Sequence, residues 1–265
     1  FASTSATIHS YKLTFFLITG ASRGIGKTMA IECSRHFKPG SVVVLIARSE
    51  KGLDETKKEI LSINDKIIIK TYSMDLSQST SEEFQAKIKN ALGDKNPTEF
   101  HQAFIIHNVG SIGDVSKRAK DLDDPKVWAD YFQLNVFCVA ALNSAFMKCF
   151  SEISKIVVNV TSKSAVAPFK SFTLYCAGKA ARELYFRVLA EEESKTIVLN
   201  YSPGPVDTDM VAEVQTKTVD DDIREYFKQQ KETKSILTPI QTVTKFLQIL
   251  KESKFKSGDH IDYYD

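Results

Sequence analysis

Apolar segments of strand length alternate with amphipathic helical segments along most of the chain. Six segments are apolar and partly β-branched, as buried strands are: residues 13–19, 41–47, 67–72, 100–107, 155–161 and 196–201. Helical periodicity predicts five helices, at residues 27–37, 51–63, 81–92, 127–150 and 173–193. Strand and helix therefore alternate from residue 13 to residue 201.

This alternation predicts an α/β fold. Buried strands joined by helices form a mostly parallel sheet that is flanked by helices on both faces. Right-handed crossovers then give a single doubly wound Rossmann-type domain. The sequence holds no Gly/Ser linker, low-complexity tract or repeat beyond the βα unit. We therefore expect one domain over residues 1–265, with an N-terminal extension at residues 1–12.

Composition and charge exclude several classes of function. The 265 residues include 35 Lys and Arg against 33 Asp and Glu, without a basic stripe, so we expect no nucleic-acid partner. No apolar run reaches membrane-spanning length, and the start lacks the layout of a secretion signal, so we expect no membrane association. The four cysteines show neither metal nor disulfide spacing, so we expect no metal and a cytoplasmic location.

Three glycines lie between the first predicted strand and the first predicted helix: Gly20, Gly24 and Gly26. Their spacing is G-x-x-x-G-x-G, not the better-known G-x-G-x-x-G. Backbone amides in such a turn, together with the start of a helix, bind a pyrophosphate. The alternative is a strand–helix turn that merely needs glycine. We predict cofactor contacts from Gly20, Ser22, Arg23, Gly24, Ile25 and Gly26.

Arg48 ends the second predicted strand, where an NAD site usually places a carboxylate on the ribose. A guanidinium there would bind a 2′-phosphate through paired hydrogen bonds, with Arg23 as a second contact and Ser49 beside it. We therefore predict NADP(H) rather than NAD(H). In the alternative interpretation Arg48 is an ordinary solvated arginine and Glu50 senses the ribose.

Further polar or glycine residues follow other predicted strands. They are Asp75 with Leu76, Asn108 with Gly110, and Ser162. Because parallel strands end at one edge of the sheet, and ligands bind over that edge, we predict that these residues meet there.

Tyr175 and Lys179 are four residues apart on the predicted helix 173–193 and project from one face of it. A nearby ammonium favours phenolate, so we expect Lys179 to lower the pKa of Tyr175. Tyr175 would then donate a proton to a carbonyl oxygen that Ser162 orients, and Lys179 would also bind ribose hydroxyls. Taken singly, Tyr175 could be an interfacial aromatic, Ser162 a helix cap and Lys179 a surface lysine paired with Glu183.

Asn135 interrupts the predicted helix 127–150. An asparagine inside a helix costs stability unless its side chain has a task. Linking Lys179 to solvent through water is one such task, and a plain helix bend is the other interpretation.

Together these motifs resemble the short-chain dehydrogenase/reductase family. They comprise residues 19–26, 75–76 and 108–110, then Asn135, Ser162, Tyr175, Lys179 and residues 203–204. The usual Asn-Asn-Ala-Gly segment reads His107-Asn108-Val109-Gly110, and we expect His107 to be a packing residue. The resemblance implies a nicotinamide-dependent oxidoreductase. It also implies a homodimer formed by the helices that carry Asn135 and Tyr175.

Five segments are similar to the pterin-reducing members of that family: residues 47–50, 113–117, 174–182, 203–205 and 257–265. This implies NADPH-dependent reduction of pterin side-chain carbonyls, the closing step of tetrahydrobiopterin synthesis. Asp262 would accept two hydrogen bonds from the amino-pyrimidine edge, with Asp259 as the other candidate.

The same resemblance assigns the remaining residues of the cleft. Lys163 and Gly204 would border the substrate, and residues 211–238 would form a lid over it. The segment Val206, Asp207, Thr208 and Met210 would cover the nicotinamide, although Asp207 or Thr208 could instead cap a helix. Two other functions stay open: a general reductase of ketones and diketones, and a cofactor-binding protein without catalysis.

Overall fold

The computed structural model describes residues 12–265, in which seven parallel strands form one sheet. The sheet order is β3-β2-β1-β4-β5-β6-β7. The strands are β1 (Thr14–Thr19), β2 (Val42–Ala47), β3 (Ile68–Ser73), β4 (Gln102–His107), β5 (Lys155–Val160), β6 (Thr196–Ser202) and β7 (His260–Asp262). Nearly all of the predicted extension at residues 1–12 lies outside the described residues. The predicted doubly wound α/β fold is confirmed.

Helices cover both faces of the sheet. They are α1 (Gly24–Ser34), α2 (Glu50–Ile63), α3 (Ser81–Leu92), α4 (Pro125–Phe132), α5 (Cys138–Cys149), α6 (Thr173–Glu192), α7 (Asp209–Lys217), α8 (Asp221–Glu232) and α9 (Pro239–Glu252). Helices α1, α2 and α9 pack on one face, and α3, α5 and α6 pack on the other.

Alternate residues of the central strands serve the two faces. In β1, Phe16 and Ile18 join the core under α1 and α9, whereas Phe15 and Leu17 join the core under α3 and α5. All six positions of β1 are buried, which explains why its four central residues are all apolar and do not alternate with polar ones. Burial on both faces fixes the sheet that carries the site.

The predicted helix 127–150 is not continuous. A wider π turn at Gln133–Phe137 separates α4 from α5. Inside this turn the Asn135 side-chain amide donates to the Tyr131 carbonyl at 2.8 Å. The side chain therefore competes with the helical backbone for the Tyr131 carbonyl, and the regular α-helix is interrupted at the predicted place.

The charged segment at residues 211–238 contains most of α7 and all of α8. It is fastened to the body of the domain, because Val219 donates its backbone N–H to the Val115 carbonyl at 2.9 Å. The Thr218 and Ser171 hydroxyls lie 2.7 Å apart and form a buried hydrogen bond. Within residues 12–265, no helix has both the length and the apolarity that crossing a bilayer requires.

Candidate active site

The turn after β1 requires its glycines for two different reasons. Gly20 and Gly24 have φ angles of 72° and 56°, which L side chains rarely adopt. A Cβ on Gly26 would lie 2.2 Å from the Gly20 carbonyl oxygen and 2.4 Å from Asn108 Nδ2. The first two glycines are needed for backbone conformation and the third for close packing.

The N-terminus of α1 offers free amides to an anion. Arg23 occupies the N-cap position in extended conformation without a side-chain capping bond, and the first turn contains no acidic residue. These amides and the positive end of the helix dipole fit a pyrophosphate. Arg23 forms an ion pair with Asp209 of α7, and both side chains are exposed. Exposed pairs contribute at most about 1 kcal/mol, so the pairing leaves the predicted phosphate contact accessible.

The turn after β4 is bonded directly to the glycine turn. Asn108 donates its backbone N–H to Thr19 Oγ1 and its side-chain amide to the Thr19 carbonyl, both at 3.1 Å. Val109 donates its N–H to the same Thr19 hydroxyl. Asn108 and Gly20 therefore meet as predicted. Thr19, which joins them, was not among the predicted site residues.

The residues predicted around the adenosine ribose have mixed surroundings. Arg48 is exposed at the end of β2, and Ser49 caps α2 by accepting from the Gly52 N–H at 3.1 Å. Hydrogen bonds from Ser77 hold the pKa of Asp75 below its usual range. Leu76 is buried in the core, so only its backbone can reach a ligand.

Tyr175 and Ser162 lie together at the end of β5. Tyr175 is 9 % exposed, and burial raises its pKa, while hydrogen bonding with Ser162 works in the opposite direction. The predicted lowering of this pKa is therefore wrong, because desolvation of the phenolate outweighs the favourable contacts. A raised pKa keeps the phenol protonated at neutral pH, which is the form that donates a proton.

Lys179 lies under Tyr175 and is not a surface lysine. It is 5 % exposed, and its Nζ lies 5.4 Å from the centre of the Tyr175 ring. The ammonium donates to the Val160 carbonyl at 2.7 Å and does not pair with Glu183. Burial lowers the pKa of Lys179 well below its usual range, and the nearby Arg182 adds to the effect.

Asn135 is buried, and its side chain supports the turn after β4, at the position where that turn approaches Lys179. Its Oδ1 accepts the Ser111 N–H at 2.9 Å. A Cβ on Gly110 would lie 3.3 Å from Asn135 Oδ1 and 3.8 Å from Lys179 Nζ. The residue thus lies in the π turn of the helix and also supports the turn beside Lys179.

Ser162 also caps the short turn that follows it, because its hydroxyl accepts the Ser164 N–H at 3.2 Å. The capping role and the contact with Tyr175 therefore coexist. Lys163, the next residue, is exposed.

Residues 206–210 pass over the phosphate turn and reach Tyr175. A Cβ on Gly24 would lie 3.6 Å from Thr208, and Met210 packs against the cluster that contains Tyr175. Thr208 stands at the N-cap of α7, but its hydroxyl bonds the Val206 carbonyl and caps no amide. Asp207 pairs with Lys231 of α8 at 3.5 Å.

The two candidate aspartates of the tail lie at opposite ends of β7. Asp259 precedes the strand and accepts the Lys256 N–H at 2.8 Å, which closes a turn. Asp262 ends the strand beside Ser202, whose hydroxyl donates to Asp262 Oδ2 at 2.6 Å. Only Asp262 therefore lies at the carboxyl edge of the sheet, where the catalytic candidates are. The space beside Gly204 is lined by Leu237, Tyr263 and Tyr264.

An apolar cluster closes the space above Tyr175. Its buried members are Ile112, Val115, Phe172, Tyr175 and Val214, with Met210, Cys176, Ile223 and Phe227 packed against them. Phe172 meets Tyr175 edge to face with ring centres 6.0 Å apart. Val214 of α7 and Ile223 and Phe227 of α8 thus bring the segment predicted as a lid into the same cluster as Tyr175.

Sequence reasoning missed the roles of two buried polar residues near the site, Arg182 and Glu183. Arg182 donates to the His107 and Val109 carbonyls, and Glu183 accepts from Thr161 and pairs with His260 at 2.8 Å. Arg182 and Glu183 continue the helical face of Lys179, and that spacing was the available signal. His107 is buried, as predicted, and its ring packs against Phe186.

Comparison with known proteins identifies the family. A family profile described as short chain dehydrogenase matches residues 14–219. Sepiapterin reductase from Xenopus tropicalis is 40 % identical over 94 % of this chain and 95 % of its own length. Sepiapterin reductase from Bos taurus is 38 % identical over 95 % of both chains. A benzil reductase from Bacillus subtilis is 26 % identical over 86 % of this chain and 89 % of its own.

Solved structures share the fold. A short chain dehydrogenase/reductase from Saccharomyces cerevisiae superposes with a TM-score of 0.79 at 22 % identity, covering 95 % of this chain and 96 % of its own. A Shigella flexneri short chain dehydrogenase complexed with NADP superposes with a TM-score of 0.76 at 23 % identity, over 98 % and 100 % of the chains. The chain belongs to the short chain dehydrogenase family, oxidoreductases that act on carbonyl and hydroxyl groups with a nicotinamide dinucleotide.

Proposed function

We propose that the protein reduces a side-chain carbonyl of a pterin with NADPH, the closing step of tetrahydrobiopterin synthesis. One observation carries the proposal. Asp262, a carboxylate able to recognise an amino-pyrimidine, lies at the carboxyl edge of the sheet, the edge at which Ser162 follows β5 and hydrogen-bonds Tyr175. The similarity to sepiapterin reductases over nearly the whole chain supports it.

The proton for the carbonyl oxygen comes from Tyr175. Its phenol is protonated at neutral pH, because a tyrosine pKa is ordinarily about 10 and burial raises it further. Ser162 hydrogen-bonds the same carbonyl oxygen and orients it toward the phenol. The bound dinucleotide supplies the hydride for the carbonyl carbon. Lys179 binds the ribose hydroxyls of its nicotinamide half, and the apolar cluster above Tyr175 excludes water.

Asp262 holds the substrate at the end remote from the carbonyl. Its Oδ2 accepts from Ser202 and its Oδ1 from the Tyr264 N–H at 3.1 Å. A carboxylate has about four acceptor positions, so each oxygen retains one for a parallel pair of N–H donors. Ser202 and the Tyr264 backbone fix the carboxylate in advance, which lowers the entropy lost on binding.

Arg48 directs the cofactor preference toward NADPH. The described chain places an exposed guanidinium directly after β2 and no carboxylate at that position. Ser49 is engaged in capping α2, which leaves Arg48 as the principal contact for a 2′-phosphate. Arg23 is the second contact, after exchange of its partner Asp209.

The test compares two substrates in three proteins. Wild type, Asp262→Ala and Asp259→Ala are assayed for NADPH oxidation with sepiapterin and with benzil. We expect Asp262→Ala to lose about 100-fold in kcat/KM for sepiapterin, as for a charged bidentate contact, and little for benzil. Asp259→Ala, the matched control, retains both activities. Equal activity of all three proteins on sepiapterin removes Asp262 as the anchor.

General reduction of ketones and diketones is the second candidate function. The 26 % identity to a benzil reductase and the apolar cluster at Tyr175 favour it. It predicts that benzil is reduced at least as efficiently as sepiapterin and that Asp262→Ala changes neither rate. NADPH binding without turnover of either substrate would instead indicate a protein that binds the cofactor without catalysis.

We propose a homodimer that forms through α5 and α6. Phe137, just before α5, and Leu184 and Val188 on α6 are large apolar side chains that are substantially exposed. Such side chains favour burial against a second copy. Analytical ultracentrifugation of wild type and Leu184→Asp tests the proposal, which predicts a dimer and a monomer respectively.

The four cysteines are free, which supports a reducing compartment such as the cytoplasm.

A further inference from the structure

Arg182 is a buried cation without an anionic partner. It is 1 % exposed and lies on the face of α6 that also carries Tyr175 and Lys179. Its three hydrogen bonds go to neutral oxygens: Asn159 Oδ1 at 2.9 Å, the Val109 carbonyl at 2.7 Å and the His107 carbonyl at 2.6 Å. Among residues 12–265 it forms no salt bridge. Burying an uncompensated charge is unfavourable, so a purely structural role would be filled more easily by a neutral side chain.

The acceptors of Arg182 belong to the turn that supports the glycine loop. Its guanidinium binds the carbonyls on both sides of Asn108, and Asn108 in turn bonds Thr19. The next residue, Gly110, faces both Lys179 Nζ and Arg182 Nη1, at 3.8 and 3.9 Å from a Cβ placed there. The planar guanidinium of Arg182 forms a fork of N–H donors that can bind three acceptors in this way. A lysine ammonium cannot match this geometry. Arg182 therefore joins the helix of Tyr175 to the turn at the cofactor loop.

The charge of Arg182 is felt by both candidate catalytic groups. It lowers the pKa of Lys179 and acts in the same direction on the pKa of Tyr175, where burial has the larger and opposite effect. Burial lowers the pKa of Arg182 itself to about 10, which leaves the guanidinium charged at neutral pH. Glu183, the adjacent buried carboxylate, is occupied by Thr161 and His260. The positive charge beneath the phenol is thus not neutralised by a direct partner.

We propose that Arg182 is a positioning residue for carbonyl reduction: it holds the β4 turn against α6 and supplies a buried, unneutralised positive charge beneath Tyr175 and Lys179. The inference rests on the proposed reduction with Tyr175 as proton donor. It makes two separable predictions, since the geometry of the fork sets cofactor affinity and the charge sets the pH range of proton donation.

The test uses Arg182→Lys, which keeps the charge and loses the fork, and Arg182→Gln, which loses both. Arg187→Gln, an exposed charge removal on the same helix, is the control. NADPH affinity is measured by fluorescence titration, and kcat for sepiapterin and for benzil is measured across pH. We expect both Arg182 variants to bind NADPH about tenfold more weakly, as for the loss of one net hydrogen bond. Arg187→Gln should bind it as wild type does.

The pH profile of kcat distinguishes the effect of the Arg182 charge from the effect of its hydrogen-bond geometry. Proton donation fails above the pKa of the phenol, so kcat falls on the alkaline side. Removing the charge in Arg182→Gln should move this limb upward by about half a pH unit or more, while Arg182→Lys keeps the wild-type limb. The inference would be overturned if both Arg182 variants bound NADPH as tightly as wild type and kept the alkaline limb of wild type. It would also be overturned if both variants shifted the limb by the same amount.

The two proposals fail in distinguishable ways. If wild type binds NADPH but reduces benzil and not sepiapterin, the pterin function fails. The alkaline limb of kcat is then measured with benzil as the substrate. If wild type reduces neither, the charge prediction is overturned, and the geometric one is decided by affinity alone. If Arg182→Gln does not fold, Arg182→Lys alone decides: weaker NADPH binding with an unmoved limb supports the inference, and unchanged binding overturns it.

Discussion

The half of the site that meets the cofactor and the half that meets the substrate are built from different interactions. The cofactor half, residues 19–26 and 107–110, consists of close backbone contacts and partly buried hydrogen bonds, such as those between Asn108 and Thr19. The substrate half, residues 207–238 and 257–265, combines an apolar cluster and a few hydrogen bonds with exposed ion pairs, such as that of Lys170 with Asp222 at 2.6 Å. Exposed pairs contribute about 0–1 kcal/mol each, so we expect surface substitutions in the substrate half to be tolerated better than changes in the glycine turn.

The largest effect should come from filling the glycine turn. Gly26→Ala places a Cβ 2.2 Å from a backbone oxygen, which forces the turn apart. We expect about 100-fold weaker NADPH binding and roughly 3 kcal/mol less stability, measured by titration and by urea unfolding. Gly24→Ala is the comparison variant. Gly24 has a positive φ, but a Cβ placed there would meet only Thr208, at 3.6 Å. Gly24→Ala should cost about 1 kcal/mol, and equal losses in the two variants would contradict the steric explanation.

Changing the charge at Arg48 should alter the choice of cofactor without altering the fold. Arg48→Asp repels a 2′-phosphate and offers an acceptor to a ribose hydroxyl. We expect KM for NADPH to rise about 10- to 100-fold and KM for NADH to fall, as for a charge-assisted bond of about 1.5–3 kcal/mol. Lys51→Asp, an exposed charge reversal in α2, is the control. An unchanged ratio of the two KM values would remove Arg48 from the phosphate site.

In the substrate half, smaller effects should come from the exposed tyrosine of the tail. Tyr264 packs near Gly204, with its Cε2 3.4 Å from a Cβ placed there, and it is mostly exposed. Tyr264→Ala should raise KM for sepiapterin about fivefold by removing an aromatic contact of about 1 kcal/mol. KM for NADPH should stay constant. An equal rise in both constants would show that the two halves are not separable here.

The smallest expected effect is a difference in how pH changes the stability that each half contributes. Glu183 raises the pKa of His260 in β7, whereas burial and then Arg182 lower the pKa of His107 in β4 to about 3. The stability that His260 adds is fully present below its unfolded pKa of about 6.5 and is lost as pH rises through the raised value. His107 acts oppositely, since below about pH 6.5 the unfolded chain binds a proton that the folded chain excludes.

Urea unfolding at about pH 5.5 and about pH 8.5 measures this difference. Relative to wild type, His260→Gln should lose more stability at the acidic pH than at the alkaline pH. The relative stability of His107→Gln should instead improve on acidification. The same pH dependence in both variants would contradict the assigned partners.

The sequence predicted most of the fold because its strands are short and buried on both faces. β2 and β4 are apolar runs bounded by turn residues, and both were predicted to within two residues. β7 escaped prediction because it has three residues and only intermediate burial, so periodicity carries no signal there. The interruption at residues 133–137 was located through Asn135, but periodicity does not predict a π turn or the contact of Asn135 with Ser111, which is distant in the chain.

The site was predicted less completely, for an electrostatic reason. Helical spacing brought Tyr175 and Lys179 to one face, but burial was not readable from spacing, and it reverses the expected shift in the Tyr175 pKa. Arg182 was assigned no role of its own from the sequence. Its acceptors lie on β4 and β5, more than 20 residues away in the chain, and only the folded sheet brings them to it.

The most direct test of the account is sepiapterin-dependent NADPH oxidation by Tyr175→Phe. Phenylalanine keeps the ring in the apolar cluster and removes only the phenol. We predict a fall in kcat of about 100-fold or more, with NADPH affinity within about twofold of wild type. Turnover at the wild-type rate in the folded variant would show that the proton comes from elsewhere and would contradict the mechanism.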